Sequence, residues 1–260
     1  RICKEAGGEF HNIMLYNSAT DDLFVGGTTN SSNFPTVSPR QNTRGGTSAG
    51  FIQRLTGANG NTVWSSYYTS STGLTKLLCM EFNATKTELY VGGVTAGLNS
   101  ANITSGSYDT SHNGSDDFFV GRMGIDQTYL GGTYVGGSAS EVNMMGLNVD
   151  LNNDVYVFGY SNSTNFPVST APNTPVQATT GGSNDKVFLK LKHDLSSLTY
   201  STYYGGSGDD YDPVGERGIM FSNCRIYTII TSLSNNIPLT QEALNTTRTS
   251  NQYEPGIVVW

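Results

Sequence analysis

The octapeptide NSSNFPTV occupies Asn30–Val37, and a near copy, NSTNFPVS, occupies Asn162–Ser169. Each copy follows an alternating stretch that is typical of a β-strand: DLFVGGTT at Asp22–Thr29 and DVYVFGYS at Asp154–Ser161. The proline fixes its own φ, lacks an amide donor and forces the preceding residue to be extended. The octapeptide is therefore predicted to end a strand and begin a loop, and its recurrence predicts a chain built from repeats.

Two more strands of the same type extend the repeat to four copies: ELYVGGVT at Glu88–Thr95 and RIYTIITS at Arg225–Ser232. The spacing between equivalent aromatic residues is 66, 66 and 71 positions, counted along Phe24, Tyr90, Tyr156 and Tyr227. This period predicts repeats at 9–73, 74–140, 141–215 and 216–260, the last of them incomplete. All four are expected to form one region, 1–260.

Each period also contains three other strand-like elements. One precedes the first strand described above and reads NIMLY, LLCMEF, MGLNV and RGIMF in the successive repeats. Another is a Gly-rich turn with a strand, as in GGSNDKVFLKL at Gly181–Leu191, and the last is rich in tyrosine, as in LTYSTYYGGSGDD at Leu198–Asp210. Four strands joined by short Gly, Asn and Asp turns predict a small twisted antiparallel sheet for each repeat.

The composition is typical of an all-β protein. The chain has 31 Gly, 15 Tyr and 11 Phe, and charged residues make up only 13% of it. No long stretch places apolar residues at helical spacing, whereas aromatic and β-branched residues favour strands. The length of 260 residues is sufficient for a substantial apolar core.

A four-stranded sheet that is apolar on both faces is not stable alone. Radial stacking of successive sheets buries both faces, which predicts a β-propeller with four-stranded antiparallel blades of about 67 residues. Glycine in mid-strand is costly unless a neighbour approaches closely, and stacking predicts such an approach at Gly26, Gly27, Gly92, Gly93 and Gly159. A closed sandwich made from two repeats is the alternative architecture.

The aligned repeats resemble the SBBP-type β-propeller repeat, whose units read roughly as a GNVYVTGYT strand, an SSTNFP turn, a DAFVAKL strand and a YSTYLGGSGDD segment. The third repeat is most similar, through NNDVYVFGYSNSTNFP and NDKVFLKLKHDLSSLTYSTYYGGSGDDYD. The resemblance extends over about 9–260. It implies a bacterial secreted or cell-surface setting in large multidomain proteins and, in gliding Bacteroidota, export by type IX secretion.

The resemblance also implies more blades than this chain supplies. We therefore expect a partial propeller within a longer chain, with the ring closed by sequence elsewhere. In the alternative, the N-terminal segment RICKEAGG, residues 1–8, completes the fourth repeat and closes a four-bladed ring.

The charge of the chain excludes two classes of partner. Lys and Arg total 14 against 21 Asp and Glu, which gives a formal net charge of −7, and the basic residues are scattered. This pattern argues against binding to nucleic acid or to an anionic membrane surface. No apolar run approaches the about 18 residues of a membrane span. The expected partners are proteins or surface glycans, which tyrosine side chains are suited to contact.

Two short segments match catalytic sequence motifs, but the structure predicted around them does not suit catalysis. GTSAG at Gly46–Gly50 matches the nucleophile elbow, but a strand is predicted after it where the elbow requires a helix. SNDK at Ser183–Lys186 matches SxxK, but residues three apart on a strand point to opposite faces. The histidines have neither metal-ligand spacing nor a partner acid; they are His11, His112 and His193.

Two acidic clusters raise the hypothesis of a calcium site. DLNND at Asp150–Asp154 begins like a calcium loop, but Val155 and Ser161 stand where an EF-hand requires Gly and Glu. The second cluster lies in GGSGDDYD, and we place the metal hypothesis there, at Asp209, Asp210 and Asp212. The competing explanation is that these side chains cap β-turns by accepting bonds from their own backbone. Apart from calcium, no cofactor is expected.

The repeats account for nearly every unusual residue, and no catalytic set converges. The expected function is therefore a non-enzymatic structural or recognition domain of a secreted or cell-surface bacterial protein. It would mediate protein or glycan contacts in adhesion, gliding or the assembly of an envelope machine. The alternative is a carbohydrate-active hydrolase or lyase with axial carboxylates about 5 to 9 Å apart. Asp or Glu on the innermost strand would favour that alternative.

Overall fold

The alternating stretches of the sequence form strands in a computed structural model that describes residues 9–70, 72–210, 219–222, 225–238 and 254–260. Within these ranges the chain has fifteen strands and one short 3₁₀ helix, Ser100–Asn102. The prediction of an all-β chain built from four-stranded antiparallel sheets is confirmed. No helix in the described ranges is long and apolar enough to cross a membrane.

The strands form four sheets in which sequence neighbours are also spatial neighbours. Sheet 1 contains β1 (Glu9–Asn17), β2 (Asp22–Thr29), β3 (Ala49–Thr56) and β4 (Thr62–Tyr68). Sheet 2 contains β5 (Thr75–Phe82), β6 (Glu88–Thr95), β7 (Asp117–Gly124) and β8 (Tyr129–Val135). Sheet 3 contains β9 (Glu141–Val149), β10 (Val155–Ser161), β11 (Asp185–Leu191) and β12 (Leu198–Tyr204). In sheet 4 the described strands are β13 (Ile219–Ser222), β14 (Arg225–Ser232) and β15 (Glu254–Val259).

The turns between the first and second strands are closed by side chains that bond to their own backbone. In sheet 2, Asn83 Oδ1 accepts from the amides of Thr87 and Glu88 at 2.9 and 3.1 Å. In sheet 3, Asp150 Oδ1 accepts from the amides of Asn152 and Asp154 at 2.8 and 2.9 Å. Asn and Asp are favoured at these positions because a short polar side chain replaces a missing backbone partner.

A long loop joins the second and third strands of sheets 1 to 3 and covers the outer edge of each sheet. The amides of Tyr67, Tyr134 and Tyr203, on the last strands, donate to carbonyls of these loops, at Gln41, Asp109 and Gln177, respectively. An uncovered edge would offer a row of free amides and carbonyls to another chain. The loops therefore protect the sheets from edge-to-edge association.

Consecutive sheets stack through the first strand of the later sheet. Strand β5 contacts β1, β2 and β3, strand β9 contacts β5, β6 and β7, and β13 contacts β9. Mid-strand glycines make room for this approach: a Cβ on Gly26 would lie 2.6 Å from Met80 Sδ, and one on Gly92 would lie 2.6 Å from Met144 Sδ. The main apolar clusters accordingly lie between sheets 1 and 2, 2 and 3, and 3 and 4.

Candidate functional site

The Asn-Phe-Pro loop is held by a tyrosine of the last strand in the same sheet. Tyr203 Oη accepts from the amide of Phe166 at 2.7 Å and donates to the carbonyl of Ser163 at 2.6 Å. Tyr67 makes the equivalent pair of bonds in sheet 1, at 2.9 and 3.0 Å. The phenylalanine of the loop is buried, with 2% of Phe166 exposed. The repeated octapeptide is thus explained by packing.

The strongest cluster of chemically active groups lies between sheets 2 and 3. Asp117 is the first residue of β7, Glu141 is the first residue of β9, and both are fully buried. A Cβ on Gly136 would lie 2.4 Å from Asp117 Oδ1 and 2.6 Å from Glu141 Oε2. The two oxygens therefore lie within about 5 Å of each other. Glycine is required at position 136 because the two carboxyl groups fill the space of a side chain.

Each carboxyl group accepts several hydrogen bonds. Glu141 Oε1 accepts from the hydroxyls of Ser161 and Ser163, both at 2.8 Å, and Oε2 accepts from the amide of Gly137 at 3.2 Å. Asp117 accepts from backbone amides, Asn113 at 2.8 Å and Gly114 at 3.2 Å. The serines belong to the segment SNSTNFP, so this segment also contributes to the boundary between sheets.

The electrostatic surroundings favour a proton at this pair. Burial raises the pKa of Glu141 to about 7, although the hydroxyls of Ser161 and Ser163 oppose the rise. Burial also raises the pKa of Asp117, against the opposing effect of the Asn113 amide and of His112. Each carboxylate is poorly solvated, and two close negative charges repel each other. The pair can hold a proton near neutral pH.

The arrangement recurs between sheets 3 and 4. Asp210 accepts from the hydroxyls of Ser232 and Ser234 and from the amide of Gly206, as Glu141 does in the preceding boundary. Asp185 begins β11 as Asp117 begins β7, and its Oδ1 is buried without a hydrogen-bond partner among the described residues. Burial is the main cause of the raised pKa of Asp185.

Among the described residues, the boundary between sheets 1 and 2 has no such pair. Ala49 occupies the first position of β3, where the later sheets have aspartate, and Thr75 occupies the first position of β5. Thr75 Oγ1 instead shares a hydrogen bond with Thr95 Oγ1 at 3.0 Å. Carboxyl pairs are therefore present at some boundaries and not at others. Uncharged residues, Ala49 and Thr75, at the equivalent positions are also compatible with stacking of the sheets.

The predicted calcium residues point to different partners. Asp209 Oδ1 accepts from the side-chain Nδ2 of Asn184 at 3.0 Å, whereas the carboxylate of Asp210 faces Ser232 and Ser234. Asp212 lies outside the described residues. Within the described ranges, no group of three His, Cys, Asp or Glu side chains is placed to bind a metal. The calcium hypothesis remains a prediction.

The Asp150–Asp154 segment forms a capped turn with an ion pair beside it. Asp150 Oδ1 accepts from the amides of the turn, and Tyr156 Oη donates to Asp150 Oδ2 at 3.1 Å. Lys190 Nζ lies 2.8 Å from Asp154 Oδ2 and 3.8 Å from Asp150 Oδ2. The ammonium group of Lys190 offsets one of the two negative charges of this turn.

Each serine motif overlaps the first two residues of a strand. GTSAG leads into β3, and SNDK leads into β11, so neither serine sits at the start of a helix. The ammonium of Lys186 donates to Tyr160 Oη at 3.0 Å. Neither motif has the local structure that its catalytic chemistry requires.

The histidines are dispersed. His112 Nε2 is buried without a hydrogen-bond partner in the described part of the chain, and its ring lies 5.9 Å from that of Tyr134. His193 contributes backbone bonds, with its amide donating to Asp154 and its carbonyl accepting from Tyr90 Oη at 2.9 Å. The side chain of His11 is outside the described part.

Sequence reasoning did not single out Asp117, Glu141 or Asp185. A signal was present, because Asp117 and Asp185 align in the turns NGSDD and GGSND, and Glu141 aligns with Asp210 after the Gly-Gly-Ser segments. That alignment identifies repeated acidic positions, but it does not reveal which of them face each other.

Comparison with known proteins leaves the family of this chain open. No family model matches the sequence, and no curated protein matches it. Twelve chains of solved structures match. One is an acylaminoacyl peptidase from Pyrococcus horikoshii, with a TM-score of 0.44 and 7% sequence identity over 97% of this chain and 31% of that chain. The chain thus spans about a third of the length of that peptidase, and a similarity of this size establishes neither family nor activity.

Proposed function

We propose that the chain is part of a β-propeller that serves as a structural and recognition domain of a secreted or cell-surface bacterial protein, without enzymatic activity. One observation carries this proposal: the acidic and hydroxyl side chains that the repeats bring together are buried between sheets and bonded to each other. Groups used in this way stabilise stacking and are shielded from a substrate. The secreted or surface setting rests on the resemblance of the repeats alone.

The stacking of the sheets supports the propeller architecture. The first strand of sheet 2 lies against three strands of sheet 1, and the first strand of sheet 3 lies against three strands of sheet 2. When each sheet packs on the preceding one in the same way, the successive sheets are arranged around a common axis. Only short, protected sheet edges then remain exposed, as in a β-propeller. Closure would then require sequence outside this chain or the segment 1–8. A crystal structure with strands paired between sheets into one barrel would refute this architecture.

The recognition surface is assigned to the long loops at the sheet edges. The loop of sheet 3 is mostly exposed, and its Val176 has 55% of its surface accessible. Exposed apolar and polar groups together suit contacts with a protein or a glycan. Adhesion, gliding and assembly of an envelope machine are the processes in which such a surface would act.

A glycan array probed with the purified chain tests this function. Binding is expected without turnover, and Val176→Asp is expected to weaken it. Val63→Asp is the matched control, because Val63 is an exposed valine on the strand β4 of a different sheet. The same substitutions apply to an array of envelope proteins if the ligand is a protein.

The alternative function is cleavage of a glycan by paired carboxylates. In both pairs the facing carboxyl oxygens lie within about 5 Å of each other, at or below the separation that glycosidases use, and both pairs are buried between packed sheets. A glycosidase must bring its carboxyls to the sugar from an open cleft. Appearance of reducing ends on any array glycan, abolished by Asp117→Asn or Asp185→Asn in a folded variant, would overturn the non-enzymatic proposal.

A further inference from the structure

Neither Asp117 nor Glu141 has a salt-bridge partner within the part of the chain that the structure describes, and His112 is the basic side chain whose charge acts on Asp117. Both carboxyl groups accept hydrogen bonds from uncharged donors instead. Two ionised carboxylates within about 5 Å of each other would repel strongly in such a buried place. A bound proton, a cation or a charged His112 would offset this repulsion.

A proton fits the site better than a metal ion. Three donors already occupy Glu141 and two occupy Asp117, so a cation would have to displace them. A proton needs no additional space. It converts one carboxylate into a donor that bonds to the other, which is the usual solution for close carboxyl pairs.

We propose that Asp117 and Glu141 share one proton at neutral pH and that this proton locks sheet 2 against sheet 3, so that the boundary loosens as the pH rises above neutrality. The two residues belong to different sheets, and each begins a strand. Loss of the proton therefore places like charges on opposite sides of one interface. A rise in pH therefore weakens the packing of sheet 2 against sheet 3.

Other titratable groups face this pair from both sides. On the side of sheet 2 they are His112, whose charge opposes the raised pKa of Asp117, and Tyr134. On the side of sheet 3 the facing group is Tyr203, whose pKa burial raises to about 12. Burial also raises the pKa of Tyr134, so both tyrosines stay neutral near pH 7. The contribution of His112 to the pH dependence must therefore be distinguished by experiment from that of the carboxyl pair.

The direction of the pH effect follows from the raised pKa of Glu141. An exposed glutamic acid has a pKa of about 4.3, and in the folded chain the pKa of Glu141 is about 7. Between these values the folded state binds more protons than the unfolded state. The stabilisation is complete below about pH 4.3 and is lost as the pH rises through about 7. In that window one bound proton changes the unfolding equilibrium constant by up to about tenfold per pH unit.

Urea unfolding from acid to mildly alkaline pH tests the proposal on the whole chain. Glu141→Gln removes one titrating group, and its side-chain NH2 in place of Oε2 can donate to Asp117 at the cost of the bond from the Gly137 amide, so the slope of stability against pH is expected to flatten. His112→Gln is expected to keep the wild-type slope. Asp126→Asn serves as the matched control, because Asp126 is an exposed carboxylate in a turn bonded to Thr128. Parallel profiles for wild type and Glu141→Gln would overturn the proposal.

A direct measurement of the proton covers the case in which the variant does not fold. In the wild-type chain with ¹³C-labelled glutamate, the carboxyl signal of Glu141 is expected to titrate near pH 7. The amide of Gly137, which donates to Glu141, is expected to shift with the same midpoint. A midpoint near the ordinary value of about 4.3 would mean that the pair is fully ionised at neutral pH, and the proposal would be wrong.

Discussion

Replacing Tyr203 by phenylalanine removes one hydroxyl group that serves two backbone groups of the Asn-Phe-Pro loop. The amide of Phe166 would lose its acceptor and the carbonyl of Ser163 would lose its donor, and both lie in a buried environment. A buried polar group left without a partner costs about 1 to 3 kcal/mol. Two such groups would cost about 2 to 6 kcal/mol, and because the loop can relax partly towards water, we expect Tyr203→Phe to lower the free energy of unfolding by about 2 to 4 kcal/mol.

Urea unfolding followed by tryptophan fluorescence measures this loss, and two other tyrosines calibrate it. Tyr134 Oη accepts from one backbone amide, that of Leu98 at 2.6 Å, so Tyr134→Phe is expected to cost about half as much. Tyr200 is half-buried on the same strand as Tyr203 and packs against Phe188 by its ring, so Tyr200→Phe is expected to change stability by less than about 0.5 kcal/mol. Equal losses for Tyr203→Phe and Tyr200→Phe would refute the role assigned to the hydroxyl.

Three further outcomes are expected from the same structure. Gly182→Ala should destabilise the boundary between sheets 3 and 4 by about 1 to 3 kcal/mol in urea unfolding, because the new Cβ would lie 1.9 Å from a backbone carbonyl; Gly131→Ala, whose nearest neighbour would be at 3.6 Å, is the control. Arg122→Gln should cost less than about 1 kcal/mol and lose its effect at high salt, since its ion pair with Glu88 is partly exposed. If calcium binds at the predicted turn, millimolar calcium should raise the melting temperature and Asp209→Asn should abolish the rise; no shift in the wild type would contradict the hypothesis.

The strands and their order were predictable because their signals are local. Alternation of apolar and polar residues reports burial within one strand, and the proline of the octapeptide marks where that strand ends. The repeat then shows that each period contains the same set of strands. Mid-strand glycines such as Gly26 and Gly92 indicated close approach, although only the structure identified Met80 and Met144 as the neighbours.

The site was not predictable, because it is assembled from separate sheets. Asp209 and Asp210 are adjacent in the sequence and suggested one site, yet they turn to different partners, Asn184 and the pair Ser232 and Ser234. Adjacent residues in extended backbone point to opposite sides, so proximity in sequence does not predict convergence. The carboxyl groups that do meet are 24 positions apart at one boundary, Asp117 to Glu141.

The sequence alone determined the all-β class, the period and the strands within each sheet, since these depend on interactions between residues close along the chain. Tertiary structure decided which polar groups face each other between sheets, and therefore which carboxyl groups are buried together. Burial and the repulsion of neighbouring charges are properties of the space around a side chain, and stacking creates that space only when the sheets have come together.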